Sequence, residues 1–120
     1  MAVAGLSEVI HDPHGPFTVN VVNRDHSITR GLPESYRTQG DELYTGLTGR
    51  RAITVLASAR SVTDGREHPM AFCFETGKGR VFHSTLGHSA EGIHVPGTAE
   101  LFRRGCAWAA GREPVISKTN

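Results

Sequence analysis

Residues 70–88 read MAFCFETGKGRVFHSTLGH, and this stretch decides the fold. Met70 to Glu75 (MAFCFE) is apolar on both faces of an extended chain, which marks a strand with neighbours on either side. Gly77-Lys78-Gly79 supplies turn chemistry. Arg80 to Leu86 (RVFHSTL) then reads as a second strand, with a polar end at Thr85-Leu86-Gly87-His88.

Working outward, Ala52 to Ala59 (AITVLASA) and Phe17 to Val22 (FTVNVV) are further strands, rich in β-branched residues. Thr63 to Arg66 (TDGR) is a turn, and Asp41 to Gly46 (DELYTG) is a short strand candidate. Ser27 to Leu32 reads as a turn or short helix closing at Gly31. Residues 1–16, with His11-Asp12-Pro13-His14-Gly15-Pro16, read as loop. The one long helix runs from Pro96 to Ala110. Pro96 suits a first turn, where its missing N–H costs nothing, and Gly111 is a C′ stop. Leu101, Phe102, Cys106 and Ala109 fall on one helix face with Trp108 beside it, while Arg103 and Arg104 point away. The segment 113–120 is a tail.

The chain has 120 residues, enough for one domain. Apolar residues make up 38% and charged residues 21%, a balance that excludes a disordered chain. With 13 basic and 12 acidic residues the net charge is +1, and no basic run marks a nucleic-acid partner. Seven histidines would carry that charge to +8 on full protonation. The longest apolar stretch, Ala52 to Ala59, is too short to cross a bilayer, and Met1 to Ile10 makes a poor signal peptide. Cys73 and Cys106 read as buried, reduced thiols, which suits the cytoplasm. Five strand candidates share one long helix, so one sheet face lacks a cover. The chain is therefore expected either to form a homo-oligomer or to be part of a larger α/β unit.

Several side chains could carry chemistry. His88 sits just past the end of a strand, where α/β folds place ligands, and Gly87 would let the backbone approach one closely. Glu42 and Asp41 are adjacent on a strand, so only one can face a site, and Glu42 is favoured. Arg80 could pair with a carboxylate or with a sugar-bound anion. His26 either lines a pocket or caps the Ser27 to Leu32 turn. His11 and His14 form an HxxH pair; with His26 or His88 added, three ligands could hold a divalent metal with an open water position. Cys73 lies mid-strand in an apolar run and is rejected as a nucleophile. His83 reads as packing, and His68 and His94 as loop residues.

PFTVNVVNRDHSITRGL (16–32), DELY (41–44), PMAF (69–72), GKGRVFHSTLGH (77–88) and PGTAELFRRGCAWAAG (96–111) occur in the order seen in the ThuA-like trehalose-utilisation family, which this sequence resembles. The resemblance implies an α/β fold, flavodoxin-like and related to class I glutamine amidotransferases, of which this β-rich chain with one long C-terminal helix would be the C-terminal portion. It makes residues 1–112 a partial ThuA-like domain, without the family's first strands and nucleophile-elbow region. It implies a role in carbohydrate metabolism on a small-molecule sugar, trehalose or a keto-disaccharide. His88 and Glu42 are then the catalytic residues, with His88 as general base or ligand; His26, Arg80 and Gly87 bind substrate; and His11, His26 and His88 are the metal candidates. The alternative is a non-catalytic truncated domain that oligomerises or binds sugar. Ser27 stands where the family has proline, and Phe72 where it has tryptophan.

Overall fold

The computed structural model describes residues 10–46 and 52–115. Five strands form one sheet: β2 (Thr18–Val21), β3 (Ser35–Arg37), β5 (Thr54–Arg60), β6 (Glu67–Thr76) and β7 (Gly79–Ser84), in the order β3-β2-β5-β6-β7. A separate ribbon pairs β1 (Ile10–His11) with β4 (Tyr44–Thr45). Two helices follow, α1 (Ala90–Ile93) and α2 (Pro96–Ala109).

Every ladder among the described residues is antiparallel. The described strands thus do not show the parallel pairing of a flavodoxin-like sheet. The reason lies in the connections. β6 and β7 are joined through Gly77 and Lys78 alone, and Gly77 takes the left-handed φ of +57° that such a tight reversal needs. A parallel pair would require a crossover of a dozen or more residues. MAFCFE lies inside β6, with β5 on one side and β7 on the other, as its two apolar faces require.

The core gathers Val19, Ile28, Leu56, Met70 and Leu101, none of which reaches solvent. α2 packs over β7. Its first turn begins at Pro96, and it ends in a pair of closing hydrogen bonds: Gly111 N–H to the Trp108 carbonyl and Arg112 N–H to the Ala107 carbonyl. Its buried face is Thr98, Leu101, Arg104, Gly105 and Trp108. That corrects the expected stripe: Cys106 is exposed, and Arg104 is only 2% exposed. Gly105 sets the face, because a side chain there would run into the Phe82 ring. The Arg104 guanidinium is satisfied by Glu100 (Nε to Oε2, 2.7 Å) and by the carbonyls of Ile28 and Arg30 (3.2 and 2.7 Å).

The expected bare apolar sheet face is also absent from the described residues. Phe72, on the face opposite Phe82, is buried beneath a stacked His83 ring with 4.9 Å between centroids. Among the described residues, the large apolar side chains left exposed are Val62, in the β5–β6 turn, and Val115, beyond the helix. No helix among the described residues is long and apolar enough to cross a membrane.

Candidate functional site

The segment 40–44 assembles one group of polar side chains. The β1–β4 ladder sets His11 opposite Tyr44, and their rings meet edge to face at 5.5 Å. Gly15 and Asp41 exchange backbone hydrogen bonds (3.1 Å each), which brings the HxxH loop alongside Asp41. A side chain at Gly40 would press on the His14 ring, so glycine there seats that imidazole. Asp41 is wholly buried, while Glu42 turns toward the histidines.

Glu42 is the hub. The Tyr44 hydroxyl donates to its Oε1 at 2.6 Å, His88 Nδ1 lies 3.1 Å from the same oxygen, and His11 Nε2 lies 3.7 Å from Oε2. His14 stands edge-on to His88, with 5.7 Å between ring centroids. The Tyr44 hydrogen bond holds the Glu42 carboxyl below its ordinary value; desolvation opposes this, and the charges of His11, His88 and His14 reinforce it. The same bond raises the Tyr44 phenol, which stays protonated as a donor. The His88 side chain is 46% exposed and that of Glu42 only 12%, so the imidazole fronts the site and the carboxylate backs it. With Nδ1 turned to a carboxylate, the favoured neutral tautomer carries its proton there and leaves the Nε2 lone pair free. That is the arrangement of a base oriented by an acid.

Below this pair, the wholly buried Asp41 accepts backbone N–H groups from Gly87 (2.8 Å), His88 (3.0 Å) and Glu42 (2.9 Å). Gly87 has φ +93°, and a side chain there would run into Ile93 of α1. The close approach that its glycine permits is thus to Ile93. α1 itself is capped by Ser89, whose Oγ accepts from Gly92 N–H at 3.2 Å.

His26 and Arg80 are not brought to this group. His26 Nδ1 accepts from Ile28 N–H at 3.1 Å, capping its own turn, and Nε2 lies 3.6 Å from Cys73 Sγ. Its ring is 5.4 Å from that of Trp108. Burial lowers its pKa, and the charges of Arg80 and Arg30 add to the effect against Glu113. Arg80 donates to the Trp108 carbonyl at 3.0 Å and lies over the Trp108 ring. Both therefore belong to a second cluster around Trp108, and the expected metal set of His11, His26 and His88 does not come together. Among the described residues no group of three or more His, Cys, Asp or Glu side chains is disposed to hold a metal ion. Burial pushes the Cys73 thiol up to about 11, in keeping with its rejection as a nucleophile.

Sequence reasoning missed Asp41, Tyr44, His14 and Gly40 in these roles. One signal was available: Glu42 and Tyr44 are two apart in a segment that reads as a strand, which would put them on one face.

A family model described as trehalose utilisation, ThuA, matches residues 2–109. The expected restriction to the family's C-terminal part is not borne out, since that match takes in the N-terminus of the chain. A solved ThuA-like protein of Parabacteroides merdae is 29% identical with a TM-score of 0.84; the match covers 92% of this chain and 44% of that one. A second, from Bacteroides uniformis, is 22% identical with a TM-score of 0.61, covering 88% of this chain and 49% of its own. The chain spans less than half the length of either structure. No curated protein matches it. On the extent of the family match, the chain belongs to the ThuA trehalose-utilisation family.

Proposed function

We propose that this chain processes a small sugar, trehalose or a keto derivative of a disaccharide, with His88 as general base and Glu42 as its acid partner. The observation that carries the reading is the 3.1 Å approach of His88 Nδ1 to Glu42 Oε1, behind a solvent-facing imidazole. In this reading Nε2 takes a proton from the sugar. The imidazolium that forms is stabilised by the Glu42 carboxylate, which Tyr44 keeps ionised and in place. A positioned base of this kind contributes roughly 10²–10⁴-fold to a rate. The substrate class rests on family membership. The cytoplasm is the proposed compartment, in keeping with two unpaired cysteines.

The test is turnover of trehalose and of oxidised disaccharides by the wild type, His88→Ala and Glu42→Gln. Loss of turnover in both variants supports the reading. Equal rates in all three, or none in any, remove it for this chain. A second reading, a self-associating or sugar-binding module without turnover, draws on β7, which is a sheet edge with Arg80 and His83 exposed. Sedimentation showing a dimer, together with sugar binding that survives His88→Ala, would favour it.

A further inference from the structure

We infer that Asp41 is the positioning residue that sets the geometry of the Glu42–His88 pair; the inference rests on the reading of those two side chains as the working pair. Glu42 and His88 lie 46 residues apart in the chain, and their side chains belong to different segments. What joins their backbones is a single oxygen. Asp41 Oδ1 accepts from Glu42 N–H at 2.9 Å and from His88 N–H at 3.0 Å, while Oδ2 takes Gly87 N–H at 2.8 Å. Two main-chain nitrogens sharing one acceptor fix the separation of the two side chains that start from them.

The rest of the surroundings serve the same end. Asp41 has no solvent exposure, and three backbone N–H groups satisfy its two buried oxygens. Its own peptide is locked to Gly15, next to His14. Gly92 of α1 faces Oδ2 at a distance that leaves no slack: a Cβ there would lie 3.1 Å from that oxygen. The carboxylate is therefore held from its own backbone, from the β7 end and from α1. It touches no open surface and cannot meet a substrate, so it acts only through the residues it holds. Asparagine is isosteric but offers one acceptor oxygen in place of two, and its amide N–H₂ would face a backbone donor.

The test reads the geometry without any turnover, from the ¹⁵N shifts of the His88 ring at a pH where it is neutral. The wild type should show Nδ1 protonated and Nε2 bare, since Nδ1 faces Glu42. In Asp41→Asn that tautomer should be lost in favour of the Nε2–H form that a free imidazole prefers. Val19→Ala, a core truncation in β2, should lower the melting temperature and keep the wild-type tautomer. If Asp41→Asn does not fold, Gly92→Ala is the deciding variant, because its methyl would press on Oδ2 from 3.1 Å; it should shift the tautomer balance in the same direction. A wild-type tautomer in Asp41→Asn, or in Gly92→Ala where that variant decides, would overturn the inference, as would an Nε2–H ring in the wild type. Failure of the functional reading is told apart by unchanged turnover in His88→Ala.

Discussion

Gly87→Ala separates two explanations of the glycine beside His88. If it is there for backbone conformation and for Ile93, alanine costs stability; if it is there to admit a ligand, alanine costs binding. Gly87 sits at φ +93°, where a Cβ adds roughly 1–2 kcal/mol of backbone strain. The added methyl would also overlap Ile93 in a packed corner, and overpacking costs about 1–3 kcal/mol. A net loss near 3 kcal/mol follows, against an unfolding entropy of about 2.1 cal/mol/K per residue, or roughly 0.25 kcal/mol/K for this chain. The expected fall in melting temperature is about 12 °C by this scaling. Gly111→Ala is the internal control: its φ is +82°, but nothing lies within reach of a Cβ, so only the backbone part applies, about 1 kcal/mol and ~4 °C. Differential scanning calorimetry of the two variants isolates the steric part. Ile93→Ala in the Gly87→Ala background should recover some of the loss. Equal melting temperatures for the two glycine variants would refute the steric account. A Gly87→Ala protein of wild-type stability but weakened sugar binding would restore the ligand-approach reading.

Arg104→Ala, which leaves the buried Ile28 carbonyl, the half-buried Arg30 carbonyl and part of Glu100 without a donor, should cost about 3 kcal/mol in a urea titration. Arg104→Lys should recover only part of that, because one ammonium cannot span three acceptors; full recovery would contradict the fork geometry. Burial raises the Asp12 carboxyl, but hydrogen bonds from Ser61, Thr63 and Val62 outweigh it and leave the group lowered from 3.8. Its contribution is therefore present above the unfolded value and lost as pH falls through the folded one; Asp12→Asn should flatten the acid limb of stability against pH. Tyr44→Phe should raise the Glu42 carboxyl toward its ordinary value, read as an upward move of its titration by ¹³C NMR, and an unmoved titration would refute Tyr44 as the main cause.

What could be read in the sequence follows from how local each cause is. β5, β6 and β7 are legible because runs such as TVLASA and MAFCF carry their apolar surface in order, and because TDGR and Gly77-Lys78 are turns that work over a few residues. Those same short turns already argue for antiparallel pairing, whereas the flavodoxin-like expectation came from the resemblance. β1 and β3 are two and three residues long, built from His, Ser and Arg as much as from apolar residues; they exist because β4 and β2 are there to pair with. Arg104 was misplaced because a guanidinium usually seeks water, and nothing in the helix reveals that the carbonyls of Ile28 and Arg30 will meet it. His26 looked like a site residue beside Asp25 in sequence, yet its ring is turned to Cys73 and Trp108, partners 47 and 82 positions away. Alternation lets only one of two adjacent carboxylates face the histidines, and the structure shows it to be Glu42; His88 emerges just past the end of β7. The segment 40–44 then assigns its work by parity. Gly40 and Glu42 address the imidazoles of His14 and His88, Tyr44 braces Glu42, and Asp41, pointing the other way, grips the main chain from which Glu42 and His88 both project.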